Sequence, residues 1–364
     1  PPSCHVHNST MKVLILGGCG FIGRHLVQFL ASQEGVTVRV ADKKIPVMCH
    51  LNEAMQDLYD NEDFCEFLQS DLSREADITS AFEGSFDCVV NLTASSAFGS
   101  EEEVYKQHIT KVAQLAGGEA ARTGVNRFIH VSTAQVYKAT KDAVAEDAPL
   151  EPWTALAAAH LEAENALKAI SGLELCILRP AVVYGAGDIN GLMPRIVCGR
   201  VYQHLDEKMK LLGTPDLAIS TVHVEDVVKA IWMAKDMAPG SVYNVADSAH
   251  FTVGDMNDLL AEVFGIKTGF VSGIMNGLAR KAFSMAVNQV NNKHMKPWQE
   301  ICSKAGIFDT CLSPFLSAEL LDFDHHMNID GSAINMEYTH PKPTAEAIRA
   351  EIEYWISEQQ YPAQ

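Results

Sequence analysis

The chain has 364 residues, 47% of them hydrophobic and 20% charged, which is the composition of a globular protein and excludes a disordered one. That length holds one sizeable core and a smaller appended domain, at about 100 to 200 residues per domain. With 46 acidic against 28 basic side chains the net charge is -18, which repels phosphate backbones and anionic membranes and excludes nucleic acid as an expected partner.

Residues 1-10, PPSCHVHNST, carry neither a signal-peptide core nor an Arg-rich amphipathic pattern, and read as a loose arm, a tag remnant or what processing leaves behind. The first structured stretch is KVLILGGCGFIGRH. A short apolar strand over 12-16 runs into Gly17, Gly20 and Gly23 at three-residue spacing, with Phe21 and Ile22 among them as cofactor-binding candidates, and then into a helix carrying Ile22, Leu26 and Phe29 or Leu30. Gly17 allows the tight turn, Gly20 the close approach of backbone to a pyrophosphate, and Gly23 the packing of helix on strand. Asp42 closes the next strand, 36-41, 19 residues after Gly23, where an acid accepts hydrogen bonds from the adenosine ribose. Asp42 favours NAD, while the neighbouring Lys43 and Lys44 leave NADP open.

Further strands are expected at 64-68, 86-92, 127-132 and 174-179, with helices between them. This alternation predicts an α/β fold, a doubly wound parallel sheet covered on both faces. The segment Glu101 to Thr123 has Val104, His108, Val112 and Leu115 at helical spacing, which turns His108 inward, and Gly124 as its stop. After Arg179-Pro180 the stretch AVVYGAGDINGLMPR is rich in turn residues, and a helix resumes near Pro194. Strand-helix-strand returns over 217-246. The expected division is therefore a dinucleotide-binding domain of 11-184 plus 217-246 and a smaller substrate or partner domain of 185-216 plus 247-364. The run from Phe270 to Val290, with Gly273, Gly277, Arg280 and Lys281, would cover a cleft or dock on another subunit. From Pro343 to Gln359, Thr344 caps a helix whose Ile348, Ile352, Trp355 and Ile356 form one apolar stripe.

Nine cysteines, at 4, 19, 49, 65, 88, 176, 198, 302 and 311, form no C-x-x-C pair and no zinc spacing, and read as free thiols of a reducing compartment, cytoplasm or mitochondrial matrix. No run of about 18 apolar residues could span a bilayer. His5-x-His7 and His325-His326 lack a completing ligand and are expected to be surface histidines. Arg195, at the start of the helix near Pro194, faces either an anionic group or solvent.

The stretches LGGCGFIG, SDLSRE, VVNLTA, FIHVSTAQVY, HLEAE, LRPAVVYGAGD, VHVEDV and VYNVAD, running from Lys12 to about Phe264, resemble the extended short-chain dehydrogenase/reductases of the NAD-dependent epimerase/dehydratase group. The resemblance implies that Asp71 and Leu72 lie beside the adenine and that Leu92, Thr93 and Ala94 line the path to the nicotinamide. It further implies that Thr133 takes the place of the catalytic Ser or Thr, and that Arg179, Pro180 and Val183 close over the nicotinamide ring. His223 and Asp226 match a motif at the domain junction that is structural more often than catalytic.

In that family a tyrosine is the general acid/base, and a lysine four residues on lowers its pKa and holds the nicotinamide ribose. Aligning HLEAE places Leu156 at the tyrosine and His160 at the lysine, and His108 replaces a customary asparagine. Loss of a positioned acid/base typically costs about 10² to 10⁴ in rate. Two functions are expected on this ground. One is a cofactor-stabilised structural or regulatory subunit, as relatives of the fold are in respiratory complex I. The other is an active epimerase, dehydratase or oxidoreductase on a small molecule, using His160 assisted by His108 or Thr133, or with Tyr184 or Tyr137 swinging in.

Overall fold

The computed structural model describes residues 10-94, 99-274, 282-317 and 325-363. In chain order the first half gives β1 (Met11–Leu16), α1 (Phe21–Ala31), β2 (Val36–Asp42), α2 (Glu53–Asp60), β3 (Cys65–Gln69), α3 (Glu75–Ala81) and β4 (Cys88–Asn91). A long helix, α4, follows in three parts, Glu102–Tyr105, a π turn at Lys106–Thr110, and Lys111–Thr123. Then come β5 (Arg127–Val131), β6 (Thr140–Val144), α5 (Ala155–Lys168), β7 (Leu175–Pro180) and β8 (Val182–Tyr184). The remainder gives α6 (Met193–Leu205), β9 (Met209–Leu211), β10 (Thr221–His223), α7 (Val224–Ala234), β11 (Ser241–Val245), α8 (Val253–Phe264), β12 (Thr268–Phe270), α9 (Phe283–Lys304), β13 (Met327–Ile329) and α10 (Ala345–Ser357).

Seven strands form one parallel sheet in the order β11-β7-β5-β4-β1-β2-β3. The α/β doubly wound class and all six strands expected from the sequence are present. The order reverses beside β1, which has β2 on one side and β4 on the other. Ligands of such sheets sit at the carboxyl ends of the strands flanking that reversal.

The strand period of two divides β1 between two cores. Val13 and Ile15 pack with Leu26, Val27 and Leu30 of α1 and Val227 and Ile231 of α7. Leu14 and Leu16 face the other way, onto Ile109, Val112, Ala113 and Ala116 of α4 and Ala159, Ala163 and Leu167 of α5. A Cβ at Gly117 would stand 2.5 Å from Leu167 Cδ2, so this glycine lets α4 and α5 approach closely.

A further core joins Tyr184, residues of α6 and α8, Trp298 and Ile301 of α9, and Ile348, Ile352 and Trp355 of α10. The last three are at most 6% exposed, and each contributes on the order of 1.5–3 kcal/mol by burial. Thr344 caps α10 as expected, its Oγ1 accepting from Ala347 N at 3.1 Å. The segment 327-334, assigned from the sequence to the smaller domain, instead packs Met327, Ile329 and Ile334 into the core of the large sheet, and β13 pairs with β6. Gly277, Arg280 and Lys281, like His5 and His7, lie outside the described residues.

The buried face of α4 differs from the expected one. Tyr105, Ile109, Val112, Ala113, Ala116 and Ala120 point inward, Val104 is 40% exposed, and His108 is half-buried rather than turned into the core. The π turn inserts an extra residue in the helical repeat and shifts the phase of what precedes it. Gly124 ends the helix in the left-handed conformation, at φ 72°.

Candidate functional site

The glycine turn between β1 and α1 is held from several sides. Gly17 N donates to Ala41 O at 2.9 Å, and the Tyr59 hydroxyl donates to Gly18 O at 2.7 Å. Gly17 has φ +81°, and a Cβ there would meet the Leu92 and Thr93 backbone at 3.2 Å. At Gly23 a Cβ would lie 2.4 Å from Gly18 O, which no side chain tolerates against backbone. Gly20 caps α1 without a side-chain hydrogen bond, and the first turn contains no acid. The leading amides of a helix have no intrahelical acceptor, so those after Gly20 suit an anion. Phe21 and Ile22 are half-buried in that turn.

Asp42 stands at the end of β2, half-buried, with Oδ2 accepting from Cys19 N (3.0 Å) and Oδ1 from Lys44 N (3.0 Å). Burial raises its carboxyl above the ordinary range, against the pull of those amides. Each oxygen retains a lone pair for a ribose hydroxyl. Asp71 is fixed by the Ser73 hydroxyl at 2.7 Å, which with Lys43 and Arg74 nearby lowers its pKa, and Leu72 beside it is buried. At the end of β4, Asn91 Oδ1 accepts from Thr93 N (3.1 Å) and Thr93 Oγ1 (2.6 Å). This bends the chain where half-buried Leu92 and Thr93 border the glycine turn, with Ala94 exposed beyond them. A nicotinamide dinucleotide fits this donor set: cleared glycines, an uncapped helix start and a carboxylate at the next strand end.

Arg24, absent from the sequence reading, is the unforeseen member of the turn. Only 4% exposed, it reaches Gly20 O (3.4 Å), His50 O (3.2 Å) and the Tyr354 hydroxyl (3.1 Å). No spacing rule links residues 24 and 354.

At the carboxyl ends of β5 and β7 a second constellation gathers around α5. Glu164 receives two guanidinium hydrogen bonds from Arg179, at 2.9 and 2.6 Å, and one from Ser132 Oγ at 2.7 Å. Burial pushes the carboxyl up, but Arg179, Ser132 and Lys168 outweigh it and hold Glu164 at about 2. Arg179 also donates to the Tyr137 hydroxyl (2.7 Å), which donates to Asn244 Oδ1 (2.7 Å). Arg179 is thus committed to a buried pair, and Tyr137 is committed with it.

His160 lies one turn before Glu164 and is 5% exposed, with its Nδ1 unbonded. Desolvation, then His130 at 6.3 Å between ring centres, lowers its pKa to about 3. His130 is itself lowered to about 4 by burial. Both imidazoles are neutral at pH 7. Leu156 is half-buried on the same helix, packed on the α4 side of the sheet. Thr133 is half-buried and its Oγ1 accepts from Gln135 N at 3.3 Å. Pro180 and the half-buried Val183 flank the turn into β8. Tyr184 is fully buried beside Asp247, and burial raises its pKa far above the phenolic norm. Among the described residues neither Tyr137 nor Tyr184 is free to replace the missing phenol.

His223 caps α7 through Nδ1, and Asp226 is wholly buried, binding Lys229 Nζ (3.1 Å) and the amides of Thr339 and His340 (3.0 and 2.9 Å). Both act as joints, as the motif implied. His325 stacks on Trp153 at 4.7 Å, and His326 Nδ1 accepts from Ala218 N, so neither is a plain surface histidine. Arg195 is half-buried, and desolvation lowers its pKa.

A family model described as NAD dependent epimerase/dehydratase matches residues 13–246. Among curated proteins, the chain is 28% identical over 254 residues to the uncharacterized protein y4nG of Sinorhizobium fredii, covering 69% of this chain and 59% of that one. It is 22% identical over 362 residues to a 3-beta-hydroxysteroid dehydrogenase of Mycolicibacterium neoaurum, covering 93% of this chain and 90% of the enzyme. Among solved structures it is similar to a UDP-glucuronic acid 4-epimerase of Bacillus cereus in complex with UDP-glucuronic acid and NAD. The TM-score is 0.70 at 19% identity, over 95% of this chain and 99% of that one. No described helix is long and apolar enough to cross a membrane.

Proposed function

Because the chain belongs to the NAD dependent epimerase/dehydratase family, we propose that it binds NAD at the glycine turn and does not run a tyrosine-lysine proton relay. The observation that carries this reading is the pairing of an intact cradle with a hydrocarbon, Leu156, and a neutral buried imidazole, His160, at the relay positions. Residues 11-184 and 217-246, with 327-334 packed against them, hold the dinucleotide, and the described residues of 185-216, 247-326 and 335-364 form the substrate or partner side.

Gly17, Gly20 and Gly23 clear space for the pyrophosphate, and the amides after Gly20 meet its charge. Asp42 accepts from the adenosine ribose, which selects NAD over its phosphorylated form. Asp71 and Leu72 flank the adenine, and Leu92, Thr93, Ala94, Pro180 and Val183 border the nicotinamide end. A bound nicotinamide supplies a hydride acceptor there. His160 offers an uncharged nitrogen where the family places an ammonium, so it neither lowers a neighbouring pKa nor donates a proton at neutral pH. The coenzyme then serves to hold the fold, and the protein acts as a structural or regulatory subunit. Its described cysteines are all free, which fits a reducing compartment, cytoplasm or mitochondrial matrix.

A second reading, an active epimerase, dehydratase or oxidoreductase, is favoured by one feature: Thr133 is only partly buried and His160 Nδ1 has no hydrogen-bond partner. Nucleotide sugars and hydroxysteroids, named for the similar proteins, are the substrates to try. NADH binding is followed by fluorescence and turnover by absorbance, for the parent chain and for Leu156→Tyr with His160→Lys. Binding without turnover in the parent supports the first reading, and turnover abolished by His160→Ala establishes the second. Absence of NADH binding overturns both.

A further inference from the structure

We propose that His223, Glu225 and His340 form a site for one divalent transition-metal ion of the zinc class, clamping the segment that leads into α10 against the start of α7. The three side chains bring one ligand atom each within 4.8 Å of the others. Glu225 Oε2 is 3.0 Å from His340 Nε2 and 4.0 Å from His223 Nδ1, and coordination through that nitrogen would replace the long capping contact, 3.4 Å, that it accepts from Glu225 N. Ligand atoms about 2.0–2.2 Å from a tetrahedral ion stand about 3.3–3.6 Å from one another, between these two separations. Two imidazoles and a carboxylate are the donors chosen by Zn²⁺, Co²⁺ and Ni²⁺, whereas Mg²⁺ and Ca²⁺ require oxygen ligands.

The backbone holds these residues in place independently of any ion. Asp247 Oδ1 accepts from His223 N at 3.2 Å, and Asp226 Oδ2 accepts from His340 N at 2.9 Å. Two buried carboxylates therefore fix the main chain of both histidines. Their negative charge, with that of Glu225, opposes the positive end of α7 and the ammonium of Lys229. His25, on the adjacent α1, has its Nε2 against Ala186 O at 2.7 Å and lies outside the group of three. The rings of His223 and His340 lie with centres 3.7 Å apart, tilted by 30°. Coordination turns the His340 ring out of this contact, a motion its loop position and 30% side-chain exposure allow.

The test uses the full chain stripped by chelator and titrated with Co²⁺, then with Zn²⁺. We expect one saturable equivalent of Co²⁺, with visible ligand-field bands and no thiolate charge-transfer band, displaced by Zn²⁺. Zn²⁺ should raise the melting temperature. His340→Ala and Glu225→Gln should each weaken binding by about tenfold or more. Glu225→Gln keeps the side chain's shape, so it carries the test should His340→Ala fail to fold. No saturable equivalent in the parent chain, a thiolate spectrum, or binding that survives either substitution at full affinity overturns the proposal.

Discussion

Arg24 and Tyr354 meet side chain to side chain at 3.1 Å although 330 residues separate them. The same tyrosine hydroxyl donates to His50 O at 2.5 Å, so one phenol ties the glycine-turn helix, the loop after β2 and the C-terminal helix together. Tyr354→Phe leaves the buried guanidinium one acceptor short, at a cost of about 1–3 kcal/mol. Urea unfolding should show that loss, and NADH titration should show weaker binding, because the helix that begins at the cradle loses its brace. A variant indistinguishable from the parent in both would show that this contact contributes nothing.

Gly23→Ala places a methyl group 2.4 Å from the Gly18 carbonyl oxygen. Neither atom belongs to a flexible side chain, so α1 must move away from β1 and the amide cluster moves with it. NADH affinity should fall by more than tenfold, about 1.4 kcal/mol per decade. Gly118→Ala, where a Cβ meets nothing within 4 Å, is the matched control and should bind as the parent does.

Acid should destabilise the protein through His130 and His160. Their folded pKa values, about 4 and about 3, lie below the ordinary 6.5. Between those limits the unfolded chain binds more protons than the folded one, so stability rises with pH across this window and the contribution is complete above 6.5. Each histidine adds up to one proton to the slope, about 1.4 kcal/mol per pH unit. Melting temperatures measured from pH 4.5 to 7 should vary less in His160→Asn than in the parent. An unchanged slope would mean that His160 titrates alike in both states.

Glu351 works in the opposite direction. It is fully buried, its Oε1 accepts from Gly185 N at 2.9 Å, and burial with Asp188 nearby raises its pKa well above 4.5. The folded state then holds a proton that the unfolded state releases above pH 4.5, so stability falls as pH rises. Glu351→Gln removes that penalty. The variant should match the parent near pH 4.5 and melt at a higher temperature at pH 8, and equal melting points at pH 8 would refute the protonated form.

The cradle and most strands could be read from the sequence because their causes are local. A glycine at φ +81° and an acid closing the next strand leave marks within thirty or so residues. The apolar stripe of α10 was equally plain, since 3.6-residue periodicity needs no knowledge of the partner surface. The face of α4 was misread because a π turn leaves no compositional trace. Arg24 escaped notice because its acceptors are two carbonyls and a phenol contributed by distant segments. The His223, Glu225 and His340 group was invisible for the same reason, as Glu225 and His340 stand 115 positions apart in the sequence. Leu156 and His160 could be located only through neighbouring motifs, and the burial that makes His160 neutral is a property of the packed helix alone.

The π turn at Lys106–Thr110 also bears on how this region can change over evolutionary time. Removing a single residue there would rewind the repeat and swing the preceding Glu102–Tyr105 turn by about 100°. Tyr105, now fully enclosed with its hydroxyl accepting from Ser100 N at 3.1 Å, would be rotated toward water. Substitutions along the outer side of this helix are therefore inexpensive, whereas a deletion would unseat an anchor, and homologues should vary here in sequence long before they vary in length.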